Sequence, residues 1–215
     1  DRFSTQVLAK YAYYRTHYLD RDTTHLPVDN RYWQQEFYLS TSNSYQLLPA
    51  WGVSMSYDLR WNKLNADTYR FAFPTRLTHS AAVATALDLG PLRLQADRVR
   101  RGTSAHLHEY MPAFFLNYYP FASRAFSVHA FAKRSFRMPT FNDLYYAEMG
   151  NARLRPESTN QYDVGINLED TPDGRGWLRA YGLRMDAYYN TVADKIIAYP
   201  KGQQFRWTML NLGRV

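Results

Sequence analysis

The chain has 215 residues, 46% of them hydrophobic and 17% aromatic, with no cysteine and a formal charge of +7. That apolar content excludes a disordered chain, the missing cysteine excludes a disulfide scaffold or thiolate chemistry, and no stretch nears the roughly 20 continuous apolar residues of a membrane helix. The basic residues are thinly spread, and the densest group, Arg98, Arg100 and Arg101, falls where a strand should end. The charge therefore reads as solvated rim and loop residues, and no nucleic-acid partner is expected.

Taken in order, the first expected strands are Gln6 to Tyr18 and Tyr32 to Thr41. The clearest alternation follows, with Trp51, Val53, Met55, Tyr57 and Leu59 on one face and Gly52, Ser54, Ser56, Asp58 and Arg60 on the other. A period of two belongs to a sheet with one apolar face; a helix of this sequence would mix the two sets. Leu77 to Leu89 and Leu92 to Arg100 are divided by the turn signal Leu87-Asp-Leu-Gly-Pro-Leu92. Alanine favours a helix over Ser80 to Ala86, but the alternation beyond that turn argues for strand. Met111 to Tyr119 and Ala125 to Arg134 come next. Tyr162, Val164, Ile166 and Leu168 then alternate with Gln161, Asp163, Gly165 and Asn167, as Leu183, Met185, Ala187 and Tyr189 do with Gly182, Arg184, Asp186 and Tyr188. With Gln204 to Gly213 this makes about ten strands of the length a tilted membrane-crossing strand needs.

The connections alternate in length. Short ones are expected at Ser42 to Ser44, Asp88 to Pro91, Pro120 to Ser123 and Thr171 to Gly176. Longer ones are expected at Asp20 to Arg31, Trp61 to Thr75, Arg101 to Tyr110, Phe136 to Ser158 and Thr191 to Gln203. Short turns at one rim and long loops at the other characterise outer-membrane barrels, whereas a soluble sandwich has no reason to segregate them. Trp51, Tyr118, Tyr119, Trp177, Tyr188 and Tyr189 sit at strand ends, as membrane-interface girdles do. Rim aromatics of a soluble β-fold would look the same.

No phosphate-binding loop, nucleophile elbow or zincin motif is present. His106 and His108 share a strand face beside Glu109 but lack a third ligand at recognisable spacing, so no metal site is expected. Asp163 and Asp186 lie on polar faces, with Arg179 and Arg184 near the second, which favours cross-strand charge pairing over a catalytic carboxylate pair. No catalytic residue and no cofactor are assigned. The long loop Phe136 to Ser158 holds aromatics and prolines rather than serine and glycine, which predicts an ordered cap folded back on the barrel. Within it Tyr145, Tyr146 and Asn151 are the candidate ligand contacts, the alternative being that they pack the loop on the wall.

At this loop the sequence resembles the TonB-dependent outer-membrane receptors. The matching residues are Arg137, Pro139, Asn142, Leu144 and Tyr145, then Gly150, Asn151, Leu154, Pro156 and Glu157. Tyr188 to Ile197 is similar to a strand exit followed by an Asp-x-Ile stretch, and Asn211 to Val215 to the start of a further strand. The resemblance is specific from about Pro112 onward and general in pattern before it. It implies an all-β, antiparallel transmembrane β-barrel, of which residues 1–215 supply about ten of about 22 strands, without the N-terminal plug domain.

What the resemblance implies for function is uptake of a scarce solute (cobalamin, haem, a ferric siderophore or a similar compound) in the cell outer membrane, with a slight lean to cobalamin or haem. The implied partners are the lipid bilayer and lipopolysaccharide, the plug and remaining strands, TonB acting through the plug, and a surface lipoprotein. A non-transport barrel or adhesin-like module and an outer-membrane barrel enzyme are the alternatives. Asp58, Arg60, Gln161, Asp163, Arg184 and Asp186 are expected to line the lumen, and Val53, Ile166 and Met185 to face lipid.

Overall fold

The computed structural model describes residues 2–21, 27–67, 73–103, 108–146, 149–170, 180–201 and 206–215. The strands are β1 Phe3–Asp20, β2 Val28–Leu48, β3 Trp51–Ala66, β4 Thr75–Asp88, β5 Leu92–Thr103, β6 His108–Tyr118, β7 Phe126–Arg137, β8 Glu157–Asp170, β9 Tyr181–Lys201 and β10 Arg206–Arg214. A five-residue helix, α1 Phe141–Tyr145, lies between β7 and β8. No helix among the described residues is long and apolar enough to cross a membrane.

Each strand pairs antiparallel with its sequence neighbours, giving one ten-stranded sheet in the order β1 to β10, with β1 and β10 at its edges. This is the meander of an up-and-down barrel wall; a sandwich would need strands that change sheets. All ten expected strands are present, and Ser80 to Ala86 lies inside β4.

Two expected connections are corrected. Ser42 to Ser44 is not a turn: these residues continue β2, pairing with Gln6 to Ser4 on one side and Ser56 to Ser54 on the other. The chain reverses at Pro49 and Ala50 instead. A run of small polar residues looks like a loop, yet in a strand with one wet face it is merely the polar register. Likewise most of Thr191 to Gln203 belongs to β9, which runs on to Lys201. The Thr171 to Gly176 turn, with Trp177 and Arg179, lies outside the described residues.

The register divides the strands into two faces. On one, Tyr11, Phe37 and Trp61 stand opposite one another across β1 to β3. Tyr45 lies eight residues from Phe37 along β2, roughly 26 Å by strand rise, beside Val53 and near Trp51. Leu39, Met55, Tyr57, Val83, Phe114, Val164, Leu183 and Met185 are all exposed on this open face. An apolar band between two rows of aromatics is what a barrel presents to lipid.

The other face carries the core. Tyr32, Leu64 and Ala66, at the long-loop ends of β2 and β3, are buried beneath Phe141 of α1, with Tyr145 and Tyr146 packed around them. The cap therefore crosses the sheet face from β7 and β8 to β2 and β3.

Candidate functional site

The cap is built from its own sequence. Thr140 accepts a hydrogen bond from the Asp143 backbone N–H at 3.1 Å while the Asp143 carboxylate accepts from the Thr140 N–H at 2.8 Å, a capping box that starts α1. Tyr146, extended at φ −61° and ψ 127°, ends it. The Gly150 N–H then donates to the Tyr146 carbonyl at 2.7 Å. A Cβ at Gly150 would stand 2.6 Å from the Tyr146 backbone, so only glycine fits this approach.

The second half of the signature fastens the cap to β9 and β10. Asn151 donates from its side-chain amide to the Met209 carbonyl at 2.9 Å and accepts from the Arg153 N–H at 3.0 Å. The Arg155 N–H donates to Asn211 Oδ1, and Asn211 Nδ2 donates back to the Arg155 carbonyl, at 2.8 and 2.9 Å. Glu157 accepts from the Ile196 N–H at 3.1 Å and faces the Arg137 guanidinium at 3.5 Å. Arg137 also reaches Asp143 at 3.4 Å, tying the two halves together. Beside this junction Asp194 adopts φ 55°, a conformation aspartate tolerates, and its carboxylate pairs with Arg155 at 2.6 Å.

The candidate contacts thus have structural partners. Tyr146 lies against Tyr32 with ring centroids 4.5 Å apart, Tyr145 against Phe141 at 5.9 Å, and the Asn151 side chain is bound to backbone. None of the three lines the cavity of about 520 Å³ that lies between the first turn of the cap and β2 to β5. Sequence reasoning placed Asp58 and Arg60 in the lumen but missed Arg76 and Arg101, which join them on the cavity wall. The missing signal was register, since Arg101 reaches this face only through the pairing of β4 with β5.

Four arginines, Arg60, Arg76, Arg101 and Arg137, line the cavity against two carboxylates, Glu36 and Asp58. Glu36 is engaged by Lys10 at 3.3 Å and Asn62 at 3.0 Å, and Asp58 by the Tyr38 hydroxyl at 2.9 Å. Arg76 donates to the Pro139 carbonyl at 2.8 Å and lies over the Phe141 ring at 4.9 Å, so it joins wall to cap. The buried Nε of Arg101 has no hydrogen-bond partner among the described residues. Arg137 is held by Asp143 and Glu157, which leaves Arg60, Arg76 and Arg101 in the recess, and guanidinium groups so placed suit a ligand that brings carboxylate, phosphate or phenolate oxygens.

Of the other residues weighed from sequence, His106 lies outside the described residues, while His108 begins β6 and is exposed. Asp163 and Asp186 do share a face, and Arg184 contacts Asp186 at 3.0 Å from two residues away on the same strand, where pairing across strands was expected. His129, which sequence reasoning passed over, joins them at 2.8 Å from Asp186 and 3.7 Å from Asp163.

Comparison with known proteins agrees with this architecture. The vitamin B12 transporter BtuB of Vibrio vulnificus is 36% identical over 77 residues, 36% of this chain and 11% of that protein. BtuB of Photobacterium profundum is 42% identical over 40 residues, 19% of this chain and 7% of that protein. The ferric enterobactin receptor PfeA of Pseudomonas aeruginosa superposes with a TM-score of 0.71 at 12% identity, over 98% of this chain and 37% of PfeA. The siderophore receptor PirA of the same organism gives 0.66 at 14% identity, over 98% of this chain and 45% of PirA. The chain therefore spans under half the length of the relatives it matches, and the structural likeness shows the fold, part of an antiparallel β-barrel. The family model described as TonB dependent receptor-like, beta-barrel, matches residues 1–215 from end to end, and the chain belongs to that family.

Proposed function

We propose that this chain forms part of the wall of an outer-membrane receptor that imports a scarce solute with energy supplied through TonB, and that the solute is a corrinoid. The identity shared with a vitamin B12 transporter over 77 residues carries the corrinoid reading. The open apolar face between aromatic rows supports residence in a bilayer, with lipopolysaccharide at the long-loop rim. The energy would enter through the plug and the remaining strands. The work done is binding and passage, not bond chemistry, so no catalytic residue is assigned.

A ferric siderophore or haem is the second reading, favoured by Arg60, Arg76 and Arg101 on the cavity wall. The full-length receptor, purified in detergent, separates the two by titration with cyanocobalamin and with ferric catecholate or haem. Stoichiometric corrinoid binding supports the first reading. Binding of a ferric chelate or haem, with no response to cyanocobalamin, overturns it.

A further inference from the structure

His129 of β7, Asp163 of β8 and Asp186 of β9 bring one donor atom each to a single spot on the inner face, all within 4.8 Å of one another. The register makes this possible. His129 and Asp186 stand on either side of Gly165, opposite it in both ladders, and Asp163 lies two residues away on the same face of the middle strand. A Cβ at Gly165 would come within 2.6 Å of both His129 Nε2 and Asp186 Oδ1. The glycine leaves the gap over which the imidazole and the carboxylate converge.

We infer that these three side chains form a binding site for a divalent transition-metal ion of the zinc class. Metal–ligand bonds of about 2.1 Å at tetrahedral angles place donors roughly 3.4 Å apart. The His129 to Asp163 separation of 3.7 Å is already near that, and the His129 to Asp186 separation of 2.8 Å opens to it with a small rotation of the carboxylate. One imidazole with two carboxylates selects zinc, cobalt or nickel over calcium or magnesium, which prefer oxygen donors alone. Arg184 orients this carboxylate, its Nε donating to Asp186 Oδ2 at 3.0 Å and its Nη2 reaching Oδ1 more weakly at 3.5 Å, while Oδ1 faces His129 at 2.8 Å. Such an outer contact orients a ligand as second-layer partners do in metal sites. The three donors come from three adjacent strands, so a bound ion would clamp β7, β8 and β9 and keep a position open towards the barrel interior.

The test uses the full-length receptor without a histidine tag, stripped with chelator, in detergent at neutral pH. Equilibrium dialysis against Zn²⁺ counts the sites, and Co²⁺ absorbance reports tetrahedral nitrogen and oxygen ligation. The parent should bind one more equivalent than His129→Ala, and lose the corresponding cobalt band in that variant. Asp163→Asn replaces one donor and should weaken this site by more than the roughly 10–100-fold that loss of an outer contact costs. Arg184→Gln keeps all three donors but removes the outer contact on Asp186, so it should keep the equivalent with affinity lowered by roughly 10–100-fold. Heat-modifiable gel mobility verifies that each variant is folded; Asp163→Asn, which changes no volume, stands in should His129→Ala fail it. Equal stoichiometry and affinity in the parent and both ligand variants overturns the site, as does a parent without the equivalent and the band, leaving an ordinary histidine–aspartate pair.

Discussion

The two faces of this sheet are made by the same strands and obey opposite rules. The open face is apolar and exposed: Met55, Val164, Met185 and Tyr189 are each more than half exposed. The inner face is polar along most of its length and, among the described strand residues, buries the hydrophobics Tyr32, Leu64 and Ala66 under the cap and Ile196 on β9. In a soluble protein the apolar face would be the covered one. Here the chain's own cap lies on part of the polar face while the apolar face is left exposed, the inversion expected of a barrel wall in a bilayer.

The inner face is most exposed to disruption at its apolar island. Phe141→Ala removes the one α1 side chain that is buried, and such truncations cost about 3–5 kcal/mol in a packed core. The cost falls on docking of the cap, since the ladders do not involve Phe141. Limited proteolysis of the folded receptor should show the β7 to β8 loop cut many times faster in the variant while gel mobility still reports a closed barrel. An unchanged cleavage rate would mean that the signature residues hold the cap alone.

The open face breaks differently. Met185→Arg places a charge where lipid is expected, at about 2–4 kcal/mol for mid-membrane depth. Asn167→Arg, on the inner face of the neighbouring strand, should stay within about 0.5 kcal/mol, as surface changes do. Urea titrations of receptor folded in lipid vesicles compare the two directly. Equal tolerance would sink the assignment of the faces.

Asn151→Ala separates the cap's anchoring from its packing. The amide makes one bond to the Met209 carbonyl and one with the Arg153 N–H, so its loss should loosen the cap by about 1–3 kcal/mol. Proteolysis should fall between the parent and Phe141→Ala. If ligand affinity fell while the cleavage rate held, Asn151 would be a contact and not a fastener.

How far these features could be read ahead of the structure follows the same division. Alternation at Trp51 to Arg60, Tyr162 to Leu168 and Leu183 to Tyr189 gave strands and faces together, because a period of two is local information. Ser42 to Ser44 misled for the converse reason: a strand whose wet face is serine and asparagine carries the composition of a turn. The signature residues Gly150, Asn151 and Glu157 were legible as a pattern, but their partners Tyr146, Met209 and Ile196 were not. Arg101 beside Arg60, and His129 over Gly165, depend on register across strands, which no window along the chain contains.

The smallest expected effect is also the sharpest test of the open face. His79 is the one histidine of β4 and lies on that face, where the Tyr57 hydroxyl meets its Nδ1 at 2.5 Å from the adjacent strand. An imidazole in the apolar band is tolerable only with its ring nitrogen satisfied, and the tyrosine supplies that from one residue pair away. Tyr57→Phe keeps the ring and removes the hydroxyl, which should cost about 1 kcal/mol because the nitrogen is left without a partner. Adding His79→Leu should restore most of that loss, since exchanging both partners for apolar groups leaves nothing unsatisfied. Recovery in the double variant, measured by the same urea titration in vesicles, would place His79 in lipid. If instead His79→Leu destabilised both backgrounds equally, water would be reaching that nitrogen, and the apolar band would end short of the Leu59 and His79 pair.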